Sequence, residues 1–445
     1  MPLPLAPALA PALAAAFLGV VGAADPAAAG APNHAAAAPS PASSTTAGGE
    51  VVGGGGPRGI PTTVGDAAPG QLLWAQRFRT LNAGQVRAAI GDAGFDPSGV
   101  RVGVDLWRVV YATTDPSGAR VTASGLVALP RSDANRLTTV LIEQGTLAYR
   151  GDAPSVGANP FVLAAPLQAA GAGYLVVSPD YLGLGYGAGT HPYLHIPSEV
   201  SASVDLLTAT RRLLDRTERA ATGDLLVGGF SQGGPAALAV ARHLEATPPA
   251  GWRVRAVAPI SGPYAIVDVQ IPAMLRGEVP GYVAAYYTTY ALTATDKVRS
   301  VYAKPAEVFR RPYAGRAETL FGSNVPESEI IAALPGDLDS LLTPRGMALV
   351  RDPTGPFARA MAANDRVCAW STRVPVRLFR MLGDEQVPAA NTEACARQFR
   401  AKGVNARIVN LSPRAVSGSL HLGSGVDAAA ATLAWFQQVS SPAAG

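Results

Sequence analysis

Several residue types are scarce in this sequence of 445 residues, and each scarcity excludes a class of protein. Two cysteines are too few for a disulfide-stapled miniprotein. Together with five histidines, none in a CxxC or HExxH pattern, they leave little material for a metal site, and we expect no metal and no cofactor. Charged residues make up 15%, with a net charge of +4 and no run of lysine or arginine, so we expect no nucleic-acid partner. The hydrophobic content of 48% excludes a globally disordered chain.

The first 69 residues differ in composition from the rest. Residues 1–24 carry no charged side chain, and the stretch 12–24 is apolar, can be helical and ends in small residues. This pattern is typical of an export signal, with an uncleaved membrane anchor as the alternative. Residues 25–69 consist mainly of Ala, Gly, Pro, Ser and Thr, which bury too little apolar surface to fold. We therefore predict a signal peptide over 1–24, a disordered linker over 25–69 and a secreted or periplasmic protein.

From residue 70 to residue 445, strand-like and helix-like segments alternate in what we predict is one α/β domain. Two β-rich segments at the start, joined by Asp115-Pro116-Ser117-Gly118, predict an antiparallel hairpin. The predicted strands cover 102–113, 121–129, 137–143, 174–177, 225–227, 254–260, 374–381 and 406–411. The predicted helices cover 160–170, 199–216 with Ser198 as N-cap, 233–246, 389–401 and 427–438. Such alternation favours a mostly parallel sheet covered on both faces, with the hairpin at one edge.

One motif carries chemistry: Gly229-Phe230-Ser231-Gln232-Gly233 lies between a predicted strand and a predicted helix. A serine between glycines on such a turn is the nucleophile elbow of the α/β-hydrolase fold. Glycine is needed because a Cβ on either side would collide with the strand or the helix. The backbone N–H of Gln232 then lies at a helix N-terminus, where it can stabilise an oxyanion. The alternative is an ordinary glycine-rich turn.

Ser231 needs a base, and in this fold the acid and then the histidine follow the serine along the chain. His243 lies in the helix directly after Ser231, so elimination leaves His421 as the base. We expect His421 in a loop before the last helix. His191 and His195 precede the serine and are predicted to be structural.

The acid should end a strand between Ser231 and His421. Asp384 occupies that position and is predicted to accept the Nδ1–H of His421, which fixes the tautomer of the imidazole. The neighbouring Glu385, and then Asp365, are the fallbacks.

The loop after the strand at 137–143 is predicted to complete the site. A backbone N–H near Thr146, in Gln144-Gly145-Thr146, is the candidate for the second oxyanion donor. Leu147, the next residue, is a candidate for substrate contact. The alternative is a plain turn.

Residues from about 262 to 360 exceed what the fold needs and predict a helical cap over the site. Four tyrosines in this segment fall on one face of a candidate helix: Tyr282, Tyr286, Tyr287 and Tyr290. They either line a substrate pocket, for which Tyr286 and Tyr290 are the candidates, or pack the cap against the core.

The chain from about residue 69 to its end resembles the secretory lipases of the α/β-hydrolase superfamily, the lipase A type. The resemblance rests on Ser178-Pro179-Asp180-Tyr181-Leu182-Gly183-Leu184-Gly185, His191-Pro192-Tyr193-Leu194, the serine motif, Gly383-Asp384 with Val387-Pro388, and His421. It implies a triad of Ser231, Asp384 and His421 and an ester hydrolase activity. The chain departs from the pattern where relatives often have a His-Gly-Thr-like stretch and it has Gln144-Gly145-Thr146.

We therefore predict an exported serine hydrolase that cleaves small-molecule or lipid esters through an acyl-enzyme. It would act as a monomer with transient contact to a lipid interface. Two alternatives stay open: a serine peptidase of the same fold, and an inactive hydrolase fold that acts as a binding protein. Cys368 and Cys395 are predicted to pair in an exported chain, with two free thiols as the alternative.

Overall fold

The computed structural model describes residues 51–52, 59–247 and 251–440. Within them, ten strands form one sheet: β1 (Val51–Val52), β2 (Leu72–Leu81), β3 (Gly103–Thr114), β4 (Arg120–Arg131), β5 (Arg136–Glu143), β6 (Leu175–Pro179), β7 (Ala220–Phe230), β8 (Arg253–Ile260), β9 (Arg377–Met381) and β10 (Arg407–Leu411). The predicted signal peptide and most of the predicted linker lie outside the described residues. The described chain runs without a gap from residue 59 to residue 247, so it begins before the predicted domain boundary at 70, and Ala67 is buried.

The sheet has the order β1-β2-β3-β4-β6-β5-β7-β8-β9-β10. The strands from β1 to β4 pair antiparallel, and β4 pairs antiparallel with β6. From β6 to β10 every pair is parallel, so the carboxyl ends of β5, β7, β8 and β9 lie at one edge. In parallel α/β sheets this edge is where sites form. The predicted fold class, a mostly parallel sheet with an antiparallel hairpin, is confirmed.

Helices cover both faces of the sheet. This is required because successive side chains of a strand point to opposite faces, and both faces of a parallel sheet are apolar. In β7, Leu225 and Val227 pack under one layer of helices, whereas Leu226 packs under the other. The first layer is made of α3 (Ile196–Arg216), α4 (Gly233–Ala246) and α12 (Ala390–Ala401), and the second of α1 (Ala83–Asp92), α2 (Pro160–Gly171) and α13 (Leu420–Ser440).

A helical cap follows β8 and has its own apolar core. After a π-helical turn at Ile266–Gln270, its helices are α5 (Ile271–Leu275), α6 (Gly281–Val298), α7 (Ala317–Leu320), α8 (Glu327–Ala333), α9 (Leu338–Leu341), α10 (Pro344–Arg351) and α11 (Gly355–Asn364). The core buries Tyr286, Tyr290, Phe309 and Phe321 together. No helix within the described ranges is long and apolar enough to cross a membrane.

Two predicted helix starts are wrong. Helix α3 begins at Ile196, and Ser198 lies within its first turn, because Pro197 suits the first helical positions and extends the helix. Helix α13 begins at Leu420 rather than 427, which places His421 on a helix and not in a loop. Sequence patterns also missed β2 and α1.

Candidate active site

Ser231 occupies a sharp turn between the end of β7 and the start of α4. Its φ of 53° lies in the left-handed region, which a residue other than glycine adopts at a cost. Gly229 and Gly233 make this turn possible: a Cβ on Gly229 would collide with the carbonyl of Gly233, and one on Gly233 with the carbonyl of Glu143. The turn is held because the Ser231 N–H donates to the carbonyl of Ile260 on β8 at 2.9 Å.

Three side chains form a continuous hydrogen-bonded row from this turn. The hydroxyl of Ser231 donates to His421 Nε2 at 2.9 Å, and His421 Nδ1 donates to Asp384 Oδ2 at 2.8 Å. The other carboxylate oxygen of Asp384 accepts the backbone N–H groups of Gln386 and Val387 at 3.0 and 2.8 Å. All three side chains are buried. The structure thus brings together the three residues predicted from the chain order.

Neither fallback acid touches the imidazole of His421. The carboxylate of Glu385 caps the N-terminus of α13, where it accepts the N–H groups of Leu420 and His421 and the hydroxyl of Ser419. Asp365 binds the N–H groups of Ile266 and Val267 at the start of the cap, and burial raises its pKa to about 6. Both acids therefore support backbone segments.

The two residues predicted to supply oxyanion donors, Gln232 and Thr146, line the same pocket as Ser231. Gln232 is the N-cap residue of α4. Its backbone N–H therefore lies beside the N–H groups of the first helical turn, which have no acceptor within the helix. Thr146 follows β5, which pairs with β7, and lines the space next to Ser231. The Thr146 hydroxyl forms a hydrogen bond with Tyr193 at 3.3 Å.

Two pockets meet at Ser231 and share Thr146 and Tyr287 in their walls. The first, here called the cap pocket, is apolar and is lined among others by Ile266, Ile271, Met274, Ala291, Phe357 and Met361. The second, here called the histidine pocket, carries polar groups and is lined among others by Phe95, Asn159, Phe161, Glu327, Gln386 and His421. A substrate that spans Ser231 would place a different part in each pocket.

Comparison with solved structures identifies the fold. A protein from Legionella pneumophila described as a hydrolase matches with a TM-score of 0.75 and 26% identity, over 84% of this chain and 100% of that one. The rice cell wall degrading esterase LipA from Xanthomonas oryzae matches with a TM-score of 0.72 and 26% identity, over 83% and 98%. The chain has the α/β-hydrolase fold, and these neighbours are a hydrolase and an esterase. No family model and no curated protein matches it.

Candida antarctica lipase A in its closed state also has this fold, with a TM-score of 0.59 and 16% identity over 85% of this chain and 84% of that one. The predicted resemblance to the lipase A type is therefore confirmed at the level of fold. The neighbours also support the prediction that this hydrolase acts on carboxylic esters.

The three residues predicted to contact the substrate lie in different parts of the hydrolase. Leu147 lines the histidine pocket. Tyr286 and Tyr290 are 0% and 1% exposed and lie in the core of the cap, outside both pocket walls, so their assignment to substrate is corrected. Their hydroxyls bond to Glu327 Oε1 at 3.0 Å and to the carbonyl of Leu147 at 2.9 Å. Tyr287, one residue along, lines both pockets instead.

Three buried glutamates surround the site of the hydrolase and were not singled out from the sequence. Burial raises the pKa of Glu143 to about 8 and those of Glu199 and Glu327 to about 7. Glu327 lines the histidine pocket and accepts the N–H of Ala148 at 3.1 Å. No local pattern identifies these residues, because their burial results from contacts between distant segments.

The two cysteines, and the two histidines that precede Ser231, were predicted to have structural roles. Cys368 and Cys395 form a disulfide with their Cα atoms 5.3 Å apart, which confirms the predicted pairing. His191 is buried and its Nδ1 lies 3.0 Å from the carbonyl of Leu182, while His195 contacts Ser198 at 3.0 Å. Within the part of the chain that the structure describes, no cluster of His, Cys, Asp and Glu could hold a metal ion.

Proposed function

We propose that this hydrolase cleaves carboxylic esters by way of an acyl-enzyme on Ser231. The observation that carries the proposal is the row Ser231–His421–Asp384, in which each hydrogen bond has the donor and acceptor that a serine nucleophile needs. His421 Nε2 removes the proton of Ser231 as Oγ attacks the ester carbonyl. Asp384 holds the imidazole in the tautomer with hydrogen on Nδ1 and stabilises the imidazolium that forms.

The tetrahedral intermediate places a negative charge on the former carbonyl oxygen. The backbone N–H groups of Gln232 and of Thr146 or its neighbourhood are the proposed donors to this oxyanion. The imidazolium then protonates the leaving alcohol, and a water molecule, deprotonated by the same imidazole, releases the acid.

The position of His421 supports a proposed role for each of the two pockets. The leaving alcohol must be within reach of His421 Nε2 to take the proton. His421 lines the histidine pocket and not the cap pocket. We therefore assign the alcohol to the histidine pocket and the acyl chain to the apolar cap pocket. The proposed substrate class is an ester of an apolar acid with an alcohol that tolerates polar surroundings.

The export of the hydrolase is part of the proposal. The candidate signal at residues 1–24 lies outside the described residues, and the support comes from the disulfide between Cys368 and Cys395, since such bonds persist in oxidising compartments. A monomer and a transient contact with a lipid interface remain predictions.

A series of p-nitrophenyl esters from acetate to palmitate, with emulsified triglyceride and an aminoacyl anilide alongside, tests the function. We expect ester hydrolysis that Ser231→Ala abolishes, and the series measures which acyl length the apolar cap pocket prefers. Faster turnover of the anilide would indicate the peptidase, and no turnover of any ester would indicate the inactive binding protein.

A further inference from the structure

A buried row of polar side chains lies behind Gln232 and has no part in the mechanism above. The side-chain amide Nε2 of Gln232 is 2.7 Å from Glu199 Oε1 and 3.0 Å from His191 Nε2. His191 Nδ1 in turn is 3.0 Å from the carbonyl of Leu182. Gln232, Glu199 and His191 are each 1% exposed. Buried polar groups are costly unless paired, so this arrangement constrains all three side chains.

The direction of each hydrogen bond follows from the carbonyl of Leu182. A carbonyl accepts only, so His191 must carry its hydrogen on Nδ1. Its Nε2 is then an acceptor for one hydrogen of the Gln232 amide, while the second hydrogen goes to Glu199. If the amide were reversed, His191 would need hydrogens on both nitrogens. Burial opposes that charged form and lowers the pKa of His191 to about 4.

The row connects Gln232 to two separate parts of the fold. Glu199 belongs to the first turn of α3, and His191 belongs to the loop between β6 and α3. The His191 backbone is itself fixed, because its N–H donates to the hydroxyl of Ser323 in the cap at 3.1 Å. Gln232 directly follows Ser231, and the peptide that joins them carries one proposed oxyanion donor.

An oxyanion donor is effective only when its N–H is about 2.7–3.1 Å from the oxygen that becomes charged. The backbone at Ser231 is in a strained conformation, so the peptide needs support from outside the turn. Anchoring the Gln232 side chain on two sides supplies such support, because it limits the rotation of this residue at the N-terminus of α4.

We propose that Glu199 and His191 are positioning residues that hold Gln232 so that its backbone N–H meets the oxyanion formed on Ser231. The inference rests on the proposed ester hydrolysis and deepens it. Neither residue touches the substrate; they act through Gln232. Their loss should affect the transition state more than the binding of the ester.

The test compares Glu199→Met with its matched control Glu199→Gln in the full-length protein. Methionine keeps the volume but cannot accept the Gln232 hydrogen, whereas glutamine can. We expect Glu199→Met to lower kcat for a p-nitrophenyl ester about tenfold with KM within about twofold of wild type, since loss of an entire donor costs about 100- to 1000-fold. Glu199→Gln should recover most of this loss.

A second readout separates positioning from a merely structural role. A trifluoromethyl ketone with the same acyl chain forms a tetrahedral adduct on Ser231, and its affinity should fall in Glu199→Met by the same factor as kcat/KM. Thermal unfolding of the variants is measured in parallel. An unchanged ketone affinity, or equal losses in Glu199→Met and Glu199→Gln, would overturn the proposal.

If Glu199→Met fails to fold, Gln232→Met decides, because it removes both side-chain hydrogen bonds and keeps the backbone N–H. The same loss of kcat and of ketone affinity is expected, and wild-type values in both would overturn the proposal. Wild-type protein that hydrolyses no ester would overturn the proposed function instead, so the two failures are distinguishable.

Discussion

Glu385 accepts the backbone N–H of His421 at 3.2 Å, one residue after the acid that accepts the imidazole of the same histidine. Two adjacent carboxylates thus hold one residue in two ways: Asp384 through the ring, and Glu385 through the start of α13. A carboxylate at a helix N-terminus is favourable because it satisfies free N–H groups and opposes the helix dipole.

Substitutions at these two positions should therefore have different consequences. Asp384→Asn leaves the volume unchanged but favours the wrong imidazole tautomer, and we expect kcat to fall about 10⁴-fold. Glu385→Gln keeps one acceptor for the helix N-terminus and should lower kcat less than about tenfold, with a loss of stability of about 1 kcal/mol. Ester kinetics and urea unfolding of both variants check this, and a larger kcat effect at Glu385 would reverse the assignment of the acid.

Narrowing either pocket should alter a different part of the substrate. Ala291→Leu, in the cap pocket, should lower kcat/KM for an octanoate ester about tenfold and change the value for the acetate ester less than about threefold. Ala165→Leu, in the histidine pocket, is the matched control. It should lower kcat/KM more for esters of bulky alcohols than for esters of small ones and leave the acyl-length preference unchanged. If Ala291→Leu instead altered alcohol preference, the pocket assignment would be reversed.

The buried carboxyl of Glu143 should make stability depend on pH. Its pKa is raised to about 8 in the folded protein, against about 4.3 for an exposed glutamate. Between these values the folded protein holds a proton that the unfolded chain has lost, so the contribution of Glu143 to the unfolding free energy decreases as pH rises. The slope for one such group is at most about 1.4 kcal/mol per pH unit.

The matched variant is Glu143→Gln, which imitates the protonated form and does not titrate. The unfolding free energy of wild type minus that of the variant, measured in urea at pH 5, 6, 7 and 8, should decrease with pH. Other titrating groups, among them Glu199 and Glu327, cancel in this difference to first order. A difference that stays constant from pH 5 to pH 8 would show that Glu143 is ionised throughout.

The proposed nucleophile and base were predictable from sequence for reasons that are local. Glycines on both sides of Ser231 report a steric demand of the turn itself, and few histidines follow it along the chain, so elimination reaches His421. The parallel sheet was predictable in the same way, because each apolar strand run is a property of consecutive residues.

The parts that sequence reasoning missed depend on contacts between distant segments. The start of α13 is fixed by Glu385, which lies 36 residues before His421. Which tyrosine of α6 lines the pockets depends on how the cap packs on the sheet. The helical spacing grouped four tyrosines, but Tyr287, and not Tyr286 or Tyr290, lines both pockets. The contact of Glu199 with Gln232, 33 residues away, has no sequence signal either.

Labelling with a fluorophosphonate probe tests whether Ser231 is the nucleophile, since the probe reacts with a serine only when a neighbouring base activates it. We expect one labelled site in the wild-type protein, mapped to Ser231 by peptide mass spectrometry. Labelling should be absent in Ser231→Ala and strongly slowed in His421→Ala. Undiminished labelling of Ser231→Ala would contradict the account, because the nucleophile would then lie elsewhere in the chain.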